Sequence, residues 1–149
     1  LIFSTADKGV VLGVTSNTDA NTISDYEEGT WTPSLNGYSG TPTFQDAFYT
    51  KVGRYVFASC RINLDGTSDG SNFRVNGLPF TCIISTESAS ASVFGANVIY
   101  SNSSSAPTYG LVVANGAYSN FYDSSGTNIS YTSAGVNKNF RINFHYITS

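Results

Sequence analysis

Residues 55–64 have the sequence YVFASCRINL, in which every second side chain is apolar. The five small or aliphatic members of this alternation would share one face of an extended chain: Val56, Ala58, Cys60, Ile62 and Leu64. Because side chains point to opposite faces of a strand in turn, this period of two predicts a β-strand with one face in a core. Asp65 and Gly66 follow directly and predict a turn.

The same alternation returns at residues 139–148, where Phe140, Ile142, Phe144 and Tyr146 alternate with polar side chains. Shorter strand-like runs, each bounded by turn residues, lie at 73–75, 81–85, 92–100, 108–114, 120–122 and 128–132. No window has the apolar spacing of an amphipathic helix. Roughly eight to ten short strands predict an all-β fold, an antiparallel β-sandwich of jelly-roll-like form.

The first residues differ from the rest of the chain. Residues 9–14 predict one short strand, and residues 15–24 are polar. We therefore expect residues 1–24 to be the end of a stalk with a linker, and residues 25–149 to form the domain. The chain contains no methionine, which indicates a part of a longer protein, and its first residues lack the features of a signal peptide.

The composition narrows the classes of function. Only 11% of the residues are charged, the net charge is −3, and the seven basic residues are scattered. Nucleic-acid binding needs clustered Lys and Arg, so we do not expect it. No segment approaches the roughly 18 consecutive apolar residues of a membrane helix, so we expect no membrane insertion. Twenty-one aromatic residues (ten Tyr, ten Phe and one Trp) argue against disorder.

The sequence offers no catalytic, metal or cofactor site. His145 is the single histidine and lies on the polar side of the last predicted strand. No nucleophile elbow, dinucleotide fingerprint or phosphate loop is present. Cys60 and Cys82 are expected to be small buried side chains rather than a disulfide framework. We therefore predict a protein that is not an enzyme and that binds no cofactor.

Glycoside hydrolysis needs two carboxyl groups a few ångströms apart. Glu27 and Glu28 are adjacent, so in a strand they would point to opposite faces and could not act as a pair. Asp65 with Asp69, and Asp123 with Glu87, could meet in the fold, although nothing in their spacing requires it. The Asp65–Asp69 segment lacks the terminal glutamate of a calcium-binding EF-hand loop.

Sugar binding by a β-sandwich typically uses exposed aromatic side chains with polar neighbours. Three segments have that composition: residues 35–42, 101–109 and 115–128. The candidate receptor-binding residues are Tyr38, Tyr109, Tyr118, Asn120, Phe121, Tyr122 and Asp123. The third segment has the most aromatic surface, although Phe121 and Tyr122 would straddle a strand, so that one of them could belong to the core.

Four blocks of the sequence resemble a known family. Residues 25–33 read DYEEGTWTP, residues 49–56 read YTKVGRYV and residues 77–80 read GLPF. Together with the strand that follows residues 49–56, they resemble, in this order, the start of the C-terminal tip domain of bacteriophage tail-fibre and tail-spike proteins. The preceding KGVVLGV at residues 8–14 is similar to a stalk repeat of that family. The matched blocks cover residues 8–82.

The resemblance implies a homotrimeric β-sandwich tip, mounted on an upstream fibre shaft and used to attach to a glycan or protein of the host cell surface. It places the chain in the virion, in a tail appendage that is made in the cytoplasm of the bacterial host. Within the matched blocks, the residue types favour structural roles. Trp31 is expected to anchor the core and Pro33 to lie at an edge. Gly53 is expected in a tight turn, and Leu78 and Phe80 in a buried bend.

Two other functions are compatible with the sequence. The first is a purely structural virion module, such as a trimerisation cap or a capsid or tail component without a ligand. The second is a polysaccharide depolymerase, which we do not expect because such active sites generally need a longer catalytic body.

Overall fold

The computed structural model of the chain describes residues 10–11, 22–23, 25–65, 70–83, 95–102, 106–131 and 138–149. All named elements are β-strands, and every pair of neighbouring strands is antiparallel. They are β1 (Val10–Val11), β2 (Thr22–Ile23), β3 (Tyr26–Thr30), β4 (Ser34–Leu35), β5 (Thr43–Val52), β6 (Tyr55–Leu64), β7 (Arg74–Asn76), β8 (Gly95–Ser101), β9 (Tyr109–Val112), β10 (Tyr118–Tyr122) and β11 (Lys138–Ile147). The prediction of an all-β, antiparallel fold is confirmed.

Strands β3 to β11 form one nine-stranded sheet, in the order β3-β5-β6-β11-β8-β9-β10-β7-β4, while β1 and β2 pair only with each other. The two edge strands of the large sheet, β3 and β4, are separated by only residues 31–33. Such a link can span at most about 14 Å between the strand ends. The sheet must therefore curl until its two edges come close together, which produces the sandwich-like form.

The curled sheet has two layers. We call β3, β5, β6, β11 and β8 the first layer, and β9, β10, β7 and β4 the second layer. Aromatic rings meet between them: Phe121 lies 6.5 Å from Phe144, and Phe73 lies 5.2 Å from Phe140, between ring centroids. The core is therefore built by inward-facing side chains of both layers, as in a β-sandwich.

The two long alternating segments form the centre of the first layer. Strands β6 and β11 pair over ten residues, from Tyr55 opposite Ile147 to Leu64 opposite Lys138. All nine apolar side chains named above for residues 56–64 and 140–146 are buried. At about 25 cal/mol per Å², burying side chains of this size is the main stabilising contribution in such a fold.

Strand β5 was not among the predicted strands. Its alternation is interrupted by a bulge between Gln45 and Phe48, where Asp46 adopts a positive φ of 54°. Its inward side also carries a charged side chain, because Lys51 is buried and forms an ion pair with Asp25. A bulge and a buried lysine both interrupt the alternation of apolar and polar residues on which the prediction of a strand depends.

Two other predictions were wrong. Residues 81–83 lie outside any strand; Cys82 instead exchanges backbone hydrogen bonds with the turn at Asn115 and Gly116. Residues 128–131 contain only isolated bridges, from Asn128 to Tyr122 and from Ser130 to Asn72. The remainder of both predicted segments, residues 84–85 and 132, lies outside the described residues. Short apolar runs bounded by turn residues do not distinguish a strand from an extended loop.

The link between the two edge strands is fixed by its tryptophan. Trp31 is buried, donates its indole N–H to the carbonyl oxygen of Ser59 over 3.0 Å, and packs edge-on against Phe144 at 5.7 Å. On the other side of the link, a Cβ at Gly77 would lie 2.4 Å from the carbonyl oxygen of Thr32, and the φ of Gly77 is +82°. The glycine is therefore required for the close approach of this backbone. The expected anchoring role of Trp31 is confirmed.

Candidate functional site

The residues of strand β10, which include predicted receptor-binding residues, form two groups, one buried and one partly exposed. Ser119 and Phe121 are fully buried, whereas Tyr118, Asn120 and Tyr122 are partly exposed on the opposite side of the strand. This alternation follows from the strand geometry. It places the three partly exposed side chains on the outer face of the second layer.

Phe121 is a correction to the sequence prediction. Its side chain has no exposed surface and packs against Phe73 at a centroid distance of 4.9 Å. A Cβ at Gly110 would lie 2.7 Å from the Phe121 ring, so β9 passes directly over it. Phe121 therefore belongs to the core, and because its side chain is fully buried it cannot contact a receptor. Its neighbour Tyr122 points outward instead.

Tyr109 and Tyr122 form a stacked aromatic pair on this outer face. They are opposite each other in the β9–β10 register, and their rings stack at 5.4 Å with an interplanar angle of 15°. The turn after β10 adjoins the pair, since a Cβ at Gly126 would lie 3.6 Å from the Tyr109 hydroxyl oxygen. The structure thus brings together two aromatic residues that lie far apart in the sequence.

Arg74 completes the face and was not predicted. Its Nε donates to Asn120 Oδ1 over 2.8 Å, and its guanidinium carbon lies 4.6 Å from the centroid of the Tyr118 ring. The guanidinium is therefore held by a hydrogen bond and a cation–π contact. A sequence signal was available, because Phe73 and Val75 alternate as core residues and leave Arg74 pointing outward. We call Arg74, Tyr109, Tyr118, Asn120 and Tyr122 the tyrosine–arginine face.

Asp123 is engaged in a turn beside this face. Its Oδ1 accepts hydrogen bonds from the backbone N–H groups of Ser125 and Thr127, each over 2.9 Å, and from the Ser125 hydroxyl over 2.7 Å. The Ser125 hydroxyl and the N–H groups of the turn lower the pKa of the Asp123 carboxyl. The carboxylate therefore holds the turn in place next to Tyr122.

Tyr38 lies apart from the other predicted residues. It is half-buried, its ring packs on the Tyr131 ring at 5.2 Å, and its hydroxyl oxygen is enclosed. Burial raises the pKa of the Tyr38 hydroxyl. The side chain is thus turned into the fold and does not extend the tyrosine–arginine face.

The carboxylates of β3 and the histidine lie in separate places, while Asp69 and Glu87 of the other two carboxylate pairs lie outside the described residues. Glu27 accepts a hydrogen bond from the Tyr49 hydroxyl, while Glu28 accepts one from the Tyr26 hydroxyl over 2.7 Å. The two carboxylates point to opposite faces of β3, as predicted. His145 Nδ1 lies 2.7 Å from the Tyr55 hydroxyl oxygen.

The described part of the chain contains no group of three or more His, Cys, Asp or Glu side chains placed to hold a metal ion. Cys60 and Cys82 are free and buried, as expected, and burial raises the pKa of the Cys60 thiol to about 12. No helix that is long and apolar enough to cross a membrane occurs among the described residues. The membrane prediction concerned the whole chain and stays a prediction.

A second surface was missed by sequence reasoning. The outer face of the first layer carries all five large apolar side chains that are strongly exposed in the described residues: Tyr26, Phe48, Val52, Tyr55 and Ile99. Strand register places Tyr26 opposite Val52 and Val52 opposite Tyr55, so these three adjoin across β3, β5 and β6. We call them the apolar strip. In the sequence they resemble core residues, because alternation does not show which face of a strand is covered.

The chain matches no protein-family model, no curated protein and no solved structure. The likeness to phage tail-fibre tips therefore depends on the sequence blocks of residues 8–82.

Proposed function

We propose that this chain is the tip domain of a bacteriophage tail fibre, that it assembles as a homotrimer, and that it attaches the virion to a glycan of the host surface without catalysing a reaction. The observation that carries the proposal is the tyrosine–arginine face. It combines a stacked aromatic pair with a guanidinium held by an amide, and exposed aromatic rings with polar neighbours are typical of shallow sugar sites.

The contacts within the face support this function. The stacked rings of Tyr109 and Tyr122 offer an apolar surface to the C–H side of a sugar ring. Arg74 uses one of its five N–H donors on Asn120, so further donors remain for sugar hydroxyls. Because Arg74 and Asn120 already hold each other, little side-chain entropy would be lost when a ligand binds.

The apolar strip supports assembly. Tyr26, Val52 and Tyr55 are 62%, 42% and 48% exposed and adjoin on three neighbouring strands. Exposed apolar patches of this kind mark surfaces that another protein covers. The strip lies where β3 begins, next to the proposed stalk, so a trimer formed there would leave the tyrosine–arginine face on the other layer free. Three weak sugar sites would then gain in overall affinity by avidity.

Binding is tested with the full 149-residue chain on a panel of bacterial surface polysaccharides and on intact cells. We expect millimolar binding per site and its loss in the Tyr109→Ala/Tyr122→Ala double variant, which should remain trimeric. Tyr26→Ser is the matched control, because it removes an exposed tyrosine of the apolar strip. It should weaken assembly in light scattering and leave binding per chain unchanged.

Three results would contradict the proposal. If the wild-type chain bound no polysaccharide and no cells, the alternative of a purely structural virion module would replace attachment. If the chain were monomeric at micromolar concentration, the homotrimer would be wrong. Release of reducing ends from a polysaccharide would show the depolymerase activity that we do not expect.

A further inference from the structure

Two arginines lie directly opposite each other on the outer face of the first layer. Arg61 of β6 pairs with Arg141 of β11 in the strand register, so their side chains leave the sheet side by side. Directly opposed like charges on neighbouring strands destabilise a sheet.

The two guanidinium groups are not neutralised within the described part of the chain. The ion pair found there joins Lys51 to Asp25, on the inner side of the sheet. No hydrogen bond from either Arg61 or Arg141 is seen in the same residues, which contrasts with Arg74 and its bond to Asn120. Within those residues, both guanidinium groups are therefore without an ion pair or a hydrogen bond.

The arginine pair borders a pocket of about 210 Å³, which we call the arginine pocket. Phe48, Phe57 and Ile99 form its apolar side. Its polar lining consists of Ser59, Asn143, Asp46 and the two arginines. Ile99 reaches the pocket because the β8–β11 register shifts next to Arg141, and Phe48 because it follows the β5 bulge.

We infer that the arginine pocket binds an oxyanion carried on a body the size of a single sugar ring, and that this ligand is an acidic sugar. Each guanidinium group presents its N–H donors in a planar fork that matches the two oxygens of a carboxylate. The same fork also matches two oxygens of a phosphate. The aromatic and aliphatic wall suits the C–H face of a ring. Asn143 supplies hydrogen-bonding groups for hydroxyls, whereas the Ser59 hydroxyl already donates to the Asp46 carbonyl oxygen over 3.3 Å. The Asp46 carboxylate can accept a hydrogen bond from a hydroxyl but opposes a second negative charge.

This site is distinct from the tyrosine–arginine face and does not depend on the fibre assignment. It lies on the opposite layer of the sandwich. Arg61 is six residue steps from Tyr55 of the apolar strip, which correspond to about 20 Å along the strand. The wall of the pocket at Phe57, however, lies only two residues from Tyr55 on the same face of β6.

The test is a titration of the full chain followed by amide chemical shifts. Sodium glucuronate is the probe, glucose is the neutral control, and inorganic phosphate is the second oxyanion, all at constant ionic strength because salt screens exposed charges. We expect saturable shifts at Arg61, Arg141 and Asn143 with glucuronate, at millimolar concentration, and none with glucose. Saturation by phosphate without a response to glucuronate would overturn the acidic-sugar assignment in favour of a free phosphate.

The variant Arg61→Gln/Arg141→Gln should weaken glucuronate binding at least tenfold, since hydrogen bonds to a charged group are lost. Lys138→Gln is the matched control: it removes one positive charge from the same strand, away from the arginine pocket, and should leave the affinity unchanged. Both variants should fold, and the arginine variant should have a slightly higher Tm because the repulsion is relieved. If the double variant does not fold, the single variants Arg61→Gln and Arg141→Gln are titrated in its place.

Three results would overturn the inference. The first is the absence of saturable shifts in the wild-type chain. The second is equal glucuronate affinity in the wild type and the arginine variant. The third is a change of oligomeric state in the arginine variant but not in Lys138→Gln, because the pair would then bind a carboxylate of a second copy of the chain.

Discussion

The two layers of the sandwich are held together in different ways. The first layer has three ten-residue strands, β5, β6 and β11, which pair along most of their length. The second layer has strands of two to five residues, and it depends on side-chain bonds to backbone groups. Tyr131 is the clearest case: its hydroxyl accepts from the Arg74 N–H over 3.3 Å and donates to the Arg74 carbonyl oxygen over 3.0 Å.

The outer faces of the two layers also differ, in how far their side chains contact one another. On the second layer, the polar and aromatic side chains contact one another, as in the Tyr109–Tyr122 stack and the Arg74–Asn120 bond. On the first layer, large apolar side chains are exposed and the Arg61–Arg141 pair is directly opposed. A long regular ladder can carry unfavourable surface groups because its core and backbone bonds compensate for them. This difference indicates separate functions for the outer faces of the two layers.

The largest expected effect is that of Phe144→Ala in the first layer. Phe144 has no exposed surface and contacts both Trp31 and Phe121. Removing its ring should lower the free energy of unfolding by about 3–5 kcal/mol, through lost burial and a cavity. Urea denaturation measures this change. Phe57→Ala, on the outer face of the neighbouring strand, is the control; a loss as large as that of Phe144→Ala would contradict the assignment of the two faces.

A smaller effect is expected for Tyr131→Phe in the second layer. The substitution keeps the buried ring but removes the hydroxyl that bonds to both backbone groups of Arg74. We expect a loss of about 1–2 kcal/mol in urea denaturation, with faster amide exchange confined to the neighbourhood of β7. Tyr109→Phe, on the outer face of the same layer, is the control. Uniformly faster exchange in both layers would contradict the local role of the Tyr131 hydroxyl.

The smallest effect concerns the pH dependence of the turn at residues 123–127. The pKa of Asp123 is lowered by its hydrogen bonds, so the carboxylate supports the turn above the unfolded pKa of about 4. This support should be lost as the pH falls through the folded pKa. Amide shifts of Ser125 and Thr127 should follow that titration, whereas Asp123→Asn, which keeps the acceptor oxygen, should abolish it. A midpoint at or above the ordinary value for aspartate would contradict the role of these bonds.

Part of the candidate site could be predicted from the sequence. Tyr109, Tyr118, Asn120 and Tyr122 were identified from loop composition, and the structure places them on one face. Their partner Arg74 comes from a strand more than thirty residues away from Tyr109 in the sequence, and only the pairing of β7 with β10 brings it there. Phe121 was assigned to the surface because composition alone does not show the phase of a short strand.

The sequence by itself determined the all-β class and the core faces of β6 and β11, because a period of two is a local property of each segment. It did not determine β5, where the bulge at Asp46 and the inward Lys51 depend on partners elsewhere in the chain. Nor did it determine the closure of the sheet through residues 31–33 or the opposition of Arg61 and Arg141. Strand order and register are non-local, since each is set by the packing of all layers together, and only the tertiary structure decides them.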